Sequence, residues 1–259
     1  MRTRFAPILC FAGLCVVGCD SPRTGPVTRD RGPALQSVDF ALDTHFRCYI
    51  VSRETPDTPV TAVLSDQFIP TDTVKVKEPL QFCAPTSKNG SPILDSTAHL
   101  TMYVAPESLP SHLIVSTEDQ FGPRTLVAVG ARSLLVPTEK VVNGVGLGFP
   151  DTLNHFRCYE VTGDRVRTRV TLADQFGSDT VRVEAPHYFC PPAAKTIGTV
   201  TTPIFAPDEH LTCYDIFAPQ RTQATDVGVR NQLEEDTFTI TSFQLLCVPS
   251  QKLGVQPAS

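Results

Sequence analysis

The sequence predicts an all-β protein, and three observations carry the prediction. A motif recurs four times: His, Phe or Leu, any residue, Cys or Met, then Tyr. It starts at His45, His99, His155 and His210, at intervals of 54, 56 and 55 residues. Within the third copy, Val166, Thr168, Val170 and Leu172 alternate with Arg165, Arg167, Arg169 and Thr171, the period of a half-buried strand. The chain also holds 23 Pro and 15 Gly, and no window shows a convincing helical period. Short strands at regular spacing favour a sandwich or a barrel.

The elements follow in order along each repeat. The His-x-x-Cys-Tyr stretch is the first strand. An alternating strand follows and stops at Asp66-Gln67-Phe68, Asp119-Gln120-Phe121, Asp174-Gln175-Phe176 or Asn231-Gln232-Leu233. A turn such as Gly177-Ser178-Asp179 leads into a Thr-led strand, Thr73-Val74-Lys75-Val76 or Thr180-Val181-Arg182-Val183. The last strand closes on Cys83, Leu135, Cys190 or Cys247, with Pro two residues on and then Lys88, Lys140, Lys195 or Lys252. Residues present in every copy are more economically read as folding each copy than as four active sites. A buried side chain of the Gln67 type would bond turn backbone, and a ring of the Tyr49 type would keep a polar tip.

The repeats alternate. The first and third read His-Phe-Arg-Cys-Tyr, while the second and fourth read His-Leu-Thr, so a longer period of about two repeats is superimposed. Duplication of a two-repeat unit predicts two tandem sandwich or barrel-like domains, 39–142 and 149–257. A four-bladed propeller-like closure is the alternative. Residues 143–148 form the expected flexible linker. The glycines at 144, 146 and 148 resemble a phosphate loop, but no helix follows them.

Six cysteines lie in the repeats. The second repeat replaces both of its own at once, by Met102 and Leu135, which one bridge per repeat predicts and bridges between repeats do not. The expected pairs are Cys48 with Cys83, Cys158 with Cys190 and Cys213 with Cys247. A zinc site is the rival, but His99 persists where both cysteines are lost, and zinc wants four ligands. No metal or cofactor is expected.

A net charge of −5 with 19% charged residues argues against a nucleic-acid binder, which needs a basic surface. The apolar content, 41%, is enough for a packed core. The remaining apolar run is N-terminal: Arg2 and Arg4 precede Phe5 to Val17, and Val16-Val17-Gly18-Cys19 ends the run. This resembles the lipobox of bacterial lipoproteins. The resemblance implies a signal peptide over 1–18, acylation of Cys19 and anchoring in a bilayer at the cell envelope. Acyl chains each contribute roughly 0.8 kcal/mol per buried methylene. Residues 19–38, rich in Pro, Gly, Arg and Asp, read as a flexible tether.

No catalytic motif is present: no Gly-x-Ser-x-Gly elbow, no His-Glu-x-x-His pair and no Gly-x-x-x-x-Gly-Lys loop. His112 and His187 stand outside the pattern, and Glu234 and Glu235 read as a solvated loop. Arg165, Arg167, Arg169 and Arg182 would form a basic stripe facing an anionic envelope polymer or a lipid head group. The combined repeat motif resembles an uncharacterised repeat of secreted proteins and lipoproteins of environmental diderm bacteria. That resemblance implies exported repeat architecture and transfers no catalytic residue. The expectation is a non-enzymatic envelope lipoprotein, a binding or structural module with an envelope protein or anionic polymer as partner. An envelope hydrolase and a small-ligand or lipid carrier are the alternatives.

Overall fold

The computed structural model describes residues 43–258, apart from 56–57, 108–111, 151 and 219–222. The leader, Cys19 and the tether lie outside the described residues. The first repeat supplies β1 (His45–Ser52), β2 (Val60–Asp66), β3 (Asp72–Val76) and β4 (Pro79–Lys88). The second supplies β5 (His99–Val104), β6 (Leu113–Asp119), β7 (Gly122–Val142) and the short β8 (Val145–Gly146). The third has β9 (His155–Thr162), β10 (Thr168–Asp174), β11 (Gly177–Cys190), β12 (Pro192–Ile197) and β13 (Val200–Thr202). The fourth has β14 (His210–Phe217), β15 (Thr225–Arg230) and β16 (Glu235–Pro257).

All sixteen strands belong to one sheet. Each repeat gives its first and last strands to a closed antiparallel ring, in which β1 pairs β4, β4 pairs β5, β5 pairs β7 and β7 pairs β9. The circuit continues through β11, β14 and β16 and returns to β1. It is not a regular barrel, because its closing strands run past the ring into an outer layer. Period-2 alternation puts Phe46, Cys48, Leu100, Met102, Phe156, Cys158, Leu211 and Cys213 inside the ring, all at most 1% exposed.

The three disulfides, Cys48–Cys83, Cys158–Cys190 and Cys213–Cys247, line this interior. Cys48 and Cys83 are register partners, and so are Met102 and Leu135, so the cysteine-free repeat fills the same cross-strand position with an apolar pair.

The middle two strands of each repeat form a hairpin outside the ring. A lone hairpin of this length has no core of its own, so its apolar face must be buried elsewhere. It packs on the next repeat. The first hairpin (Ala62, Leu64, Val74, Val76) covers Tyr103, Leu134 and Val136 of the second repeat. The second (Val115, Leu126, Ala128) covers Tyr159, Val161 and Phe189. The third covers Tyr214 and Leu246, and the fourth covers Tyr49 and Phe82 of the first. Edge pairing carries each hairpin further. β2 pairs β12 of the third repeat, β10 pairs β4 of the first, β6 pairs the end of β16, and β15 pairs the end of β7.

This interlocking corrects the expected division into 39–142 and 149–257. Both halves share the ring and one compact unit, Val38–Ser259, because every hairpin is covered by, or paired to, a repeat other than its own. Strands of different repeats pair edge to edge, so the repeats are not separate propeller blades. The segment 143–148 is also not a slack linker. Asn143 and Gly144, with φ of 51° and 75°, make the two-residue turn of a hairpin between β7 and β8. The Asn-Gly pair was the signal for that turn. In the basic stripe, Arg165 and Arg167 precede β10, which starts at Thr168, and Arg167 has a φ of 56°. Arg169 and Arg182 do face each other across β10 and β11. Glu184 pairs with both Arg165 and Arg182, so the patch is partly neutralised by its own sheet.

Candidate functional site: four junctions around the ring

The residues common to the repeats meet at four junctions, each assembled from three repeats. The Asp that ends each hairpin's first strand accepts backbone N–H bonds across its own turn. Asp66 Oδ1 takes those of Phe68 (2.6 Å) and Ile69 (3.0 Å), and Asp119 and Asp174 accept in the same way from Phe121 and Phe176. The tight turn points the other carboxylate oxygen at a tyrosine two repeats away. Tyr159 donates to Asp66 at 2.9 Å and Tyr49 to Asp174 at 2.7 Å, and Tyr214 donates to Asp119. Burial raises the pKa of all three tyrosines and of all three aspartates.

The fourth repeat departs from this pattern and compensates. Asn231 replaces the Asp, keeps the turn bonds to Leu233 and Glu234, and donates to Tyr103 Oη at 2.7 Å. Glu234 supplies the missing carboxylate: Tyr103 donates to it at 2.6 Å, and Arg53 pairs with it. Glu234 is thus a half-buried acceptor rather than part of a solvated loop, a role that falls to it because the turn residue lost its charge. Glu235 does sit outside, paired with Arg230 at 3.1 Å.

The glutamine next in sequence reaches one repeat further. Gln67 Nε2 donates to His210 Nε2 (2.6 Å), Gln120 to His45 (2.7 Å) and Gln175 to His99 (2.9 Å). The expected bonding of turn backbone by this glutamine is therefore wrong, because Asp takes that role and leaves the amide free to cross the junction. His99 Nδ1 faces the Thr97 carbonyl at 3.0 Å and His210 Nδ1 faces that of Asp208 at 2.9 Å. A neutral ring protonated on Nδ1 satisfies both contacts. Burial pushes His45 and His99 down to about 4.

The lysine of the histidine's own repeat completes three of the junctions. Lys88 lies over Phe121, Lys140 over Phe176 and Lys252 over Phe68, at 5.6, 5.5 and 5.7 Å from the ring centroids. The same phenylalanines meet the tyrosines edge-on: Phe68 with Tyr159, Phe121 with Tyr214 and Phe176 with Tyr49.

The difference between odd and even repeats has a structural cause. Arg47 of the first repeat, 1% exposed, pairs with Asp179 and approaches Asp174 of the third. Reciprocally, Arg157 of the third, fully buried, pairs with Asp72 of the first at 2.7 Å. The even repeats place buried threonines there instead. Thr138 donates to Thr101 at 2.8 Å, and Thr212 donates to Ser250 at 3.0 Å. The ring is two-fold in chemistry and four-fold in outline.

Outside the junctions, His187 Nδ1 lies 2.8 Å from Asp215, a half-exposed cross-strand pair that sequence reading missed because its partners are 28 residues apart. A groove of about 740 Å³ beside the His99 junction is lined by Lys140, Asn143, Gln175, Asp226 and Asp236, with no His or Cys in its walls. Among the described residues no group of three or more His, Cys, Asp or Glu is arranged to hold a metal ion, and no helix is long and apolar enough to cross a membrane.

Residues 124–249 match a family described as a repeat of unknown function (DUF7450). The match runs from the hairpin part of β7 through the third repeat to the ring part of β16, so it spans junction-forming segments of three repeats. It supports membership of an uncharacterised repeat family. No curated protein and no solved structure matches the chain.

Proposed function

We propose that this is an exported, lipid-anchored structural or binding module of the bacterial cell envelope, without catalytic activity. One observation carries the reading. At three of the four junctions the recurrent Tyr, Asp, His, Gln and Lys side chains, which would be the first candidates for chemistry, are engaged with one another across repeats. They act as fasteners of a rigid ring, and the variable outer faces of the hairpins are left to meet a partner. Three disulfides fit an oxidising, exported compartment. Arg169 and the half-shielded Arg165 and Arg182 offer one face for an anionic polymer or an envelope protein.

Metabolic labelling with an alkyne fatty acid, followed by fractionation, tests the anchor. Wild type is labelled and sediments with membranes, and Cys19→Ser is unlabelled and released or misprocessed. A soluble mature product with an unmodified thiol at Cys19 overturns the anchor. The non-catalytic reading is tested by incubating the purified protein with generic ester, phosphate, glycoside and peptide substrates. Turnover that a substitution among the described residues abolishes would overturn it.

A further inference from the structure

The four junctions are built to one plan, and one of them is incomplete. Where the other hairpins end in Phe68, Phe121 or Phe176, the fourth ends in Leu233, so among the described residues Lys195 has no aromatic ring beneath it. Gln232 accepts a hydrogen bond from Lys195, as Gln175 does from Lys140, but donates to Thr202 Oγ1 at 3.0 Å. His155, 2% exposed, has Gln232 near it, yet neither ring nitrogen makes the short amide bond seen at the other three junctions. Lys195 is 1% exposed, and among the described residues no carboxylate pairs with it. A cavity of about 310 Å³ opens beside it, between Ile197, Val200 and Gln232, and Val200 at 68% exposure stands at the mouth.

A buried ammonium without a counter-ion is costly, and it favours an anion that brings its own charge to the spot. The walls are mostly aliphatic, so the anion's remainder is apolar. One ammonium beside a histidine held neutral by burial and by the lysine's charge, which outweigh the nearby Gln232, matches a single negative charge, not a dianion. We propose that the His155 junction binds a small carboxylate carried on an alkyl chain, with Lys195 holding the carboxylate and Ile197 and Val200 lining the chain. The assignment goes beyond the module reading, which needs no ligand, and does not depend on the anchor.

Calorimetric titration of the full chain with hexanoate tests it, with 1-hexanol as the uncharged control. Hexanoate is expected to bind saturably and hexanol far more weakly. Lys195→Met should weaken hexanoate roughly tenfold or more, the scale of one charge-assisted hydrogen bond. Lys140→Met, at the corresponding place in the complete His99 junction, should leave binding unchanged. Val200→Asp places a like charge at the exposed mouth and should also weaken binding, which keeps the test decisive if Lys195→Met does not fold. No saturable hexanoate binding, equal binding of hexanol, or affinity untouched by whichever of Lys195→Met and Val200→Asp folds overturns the assignment.

Discussion

Replacing His99 by Phe isolates what a neutral junction histidine contributes. The ring stacks on Phe82, with centroids 5.3 Å apart, and is 3% exposed, so Phe fits the slot and keeps the stacking. The loss at neutral pH is the bond from Gln175, whose exposed amide can turn to water, and that to the Thr97 carbonyl, together costing about 1–2 kcal/mol. Acid reverses the balance. Burial lowers His99 from 6.5 to about 4, with the Lys140 charge assisting and Asp95 opposing. Below pH 6.5 the unfolded chain therefore takes up a proton that the folded chain refuses. Stability from this group is complete above 6.5 and is lost as pH falls towards 4. At about 1.4 kcal/mol per pH unit, the interval amounts to about 3 kcal/mol. The raised aspartates Asp66, Asp119 and Asp174 act with the opposite sign, but they are common to both proteins and cancel in the difference. Urea unfolding followed by far-ultraviolet circular dichroism, from pH 7.5 to 4, measures it, since the chain has no Trp for fluorescence. The wild type should be the more stable at neutral pH and His99→Phe the more stable near pH 4, so the two curves cross. Parallel curves would show that His99 titrates normally in the fold and that the neutral junction is wrong.

Three further outcomes follow from the same contacts. Tyr159→Phe strips the buried Asp66 carboxylate of its cross-ring donor and should cost about 1–3 kcal/mol by urea midpoint, and an unchanged midpoint would mean that the contact carries no weight. Cys48→Met with Cys83→Leu copies the second repeat's own solution. The double variant should fold but lose about 3–4 kcal/mol of unfolded-chain constraint for a loop of 35 residues, and failure to fold would show that the two positions are not equivalent. Cleavage at an engineered site between Asn143 and Gly144 should leave the two halves co-eluting on gel filtration, because all four tyrosine contacts, to Asp174, Glu234, Asp66 and Asp119, cross the cut. Halves expressed separately should be insoluble, and a half that folds as a monomer would refute the interlocked ring.

The loss of both cysteines from one repeat was informative because a disulfide is a pairwise covalent constraint. When one partner goes the other has no reason to stay, so Met102 and Leu135 disclosed register partners without any structure. The alternation of Arg47 and Arg157 with Thr101 and Thr212 was equally visible, but its meaning was not. Two reciprocal ion pairs across the ring look, in one dimension, the same as a duplication of two free domains. The glutamines were misassigned for a related reason. Nothing local distinguishes an amide that caps its own turn from one aimed at a histidine 75 or 143 residues away. Glu234 looked solvated because its two partners, Tyr103 and Arg53, lie two repeats and more behind it.

What the sequence determined by itself was therefore what repetition and local periodicity encode: short strands, four units of about 55 residues, the disulfide pairs and the set of residues that recurs from copy to copy. The tertiary structure alone decided how the units close. Each hairpin carries one apolar face and cannot bury it on its own repeat, so it lies across the next one and brings its turn to the two beyond. That choice depends on the curvature and stagger of strands that the side-chain pattern does not record. The same closure made the His155 junction different from its three equivalents. Leu233 is one apolar residue in the sequence, and only the assembled ring shows which lysine it leaves without a phenylalanine ring.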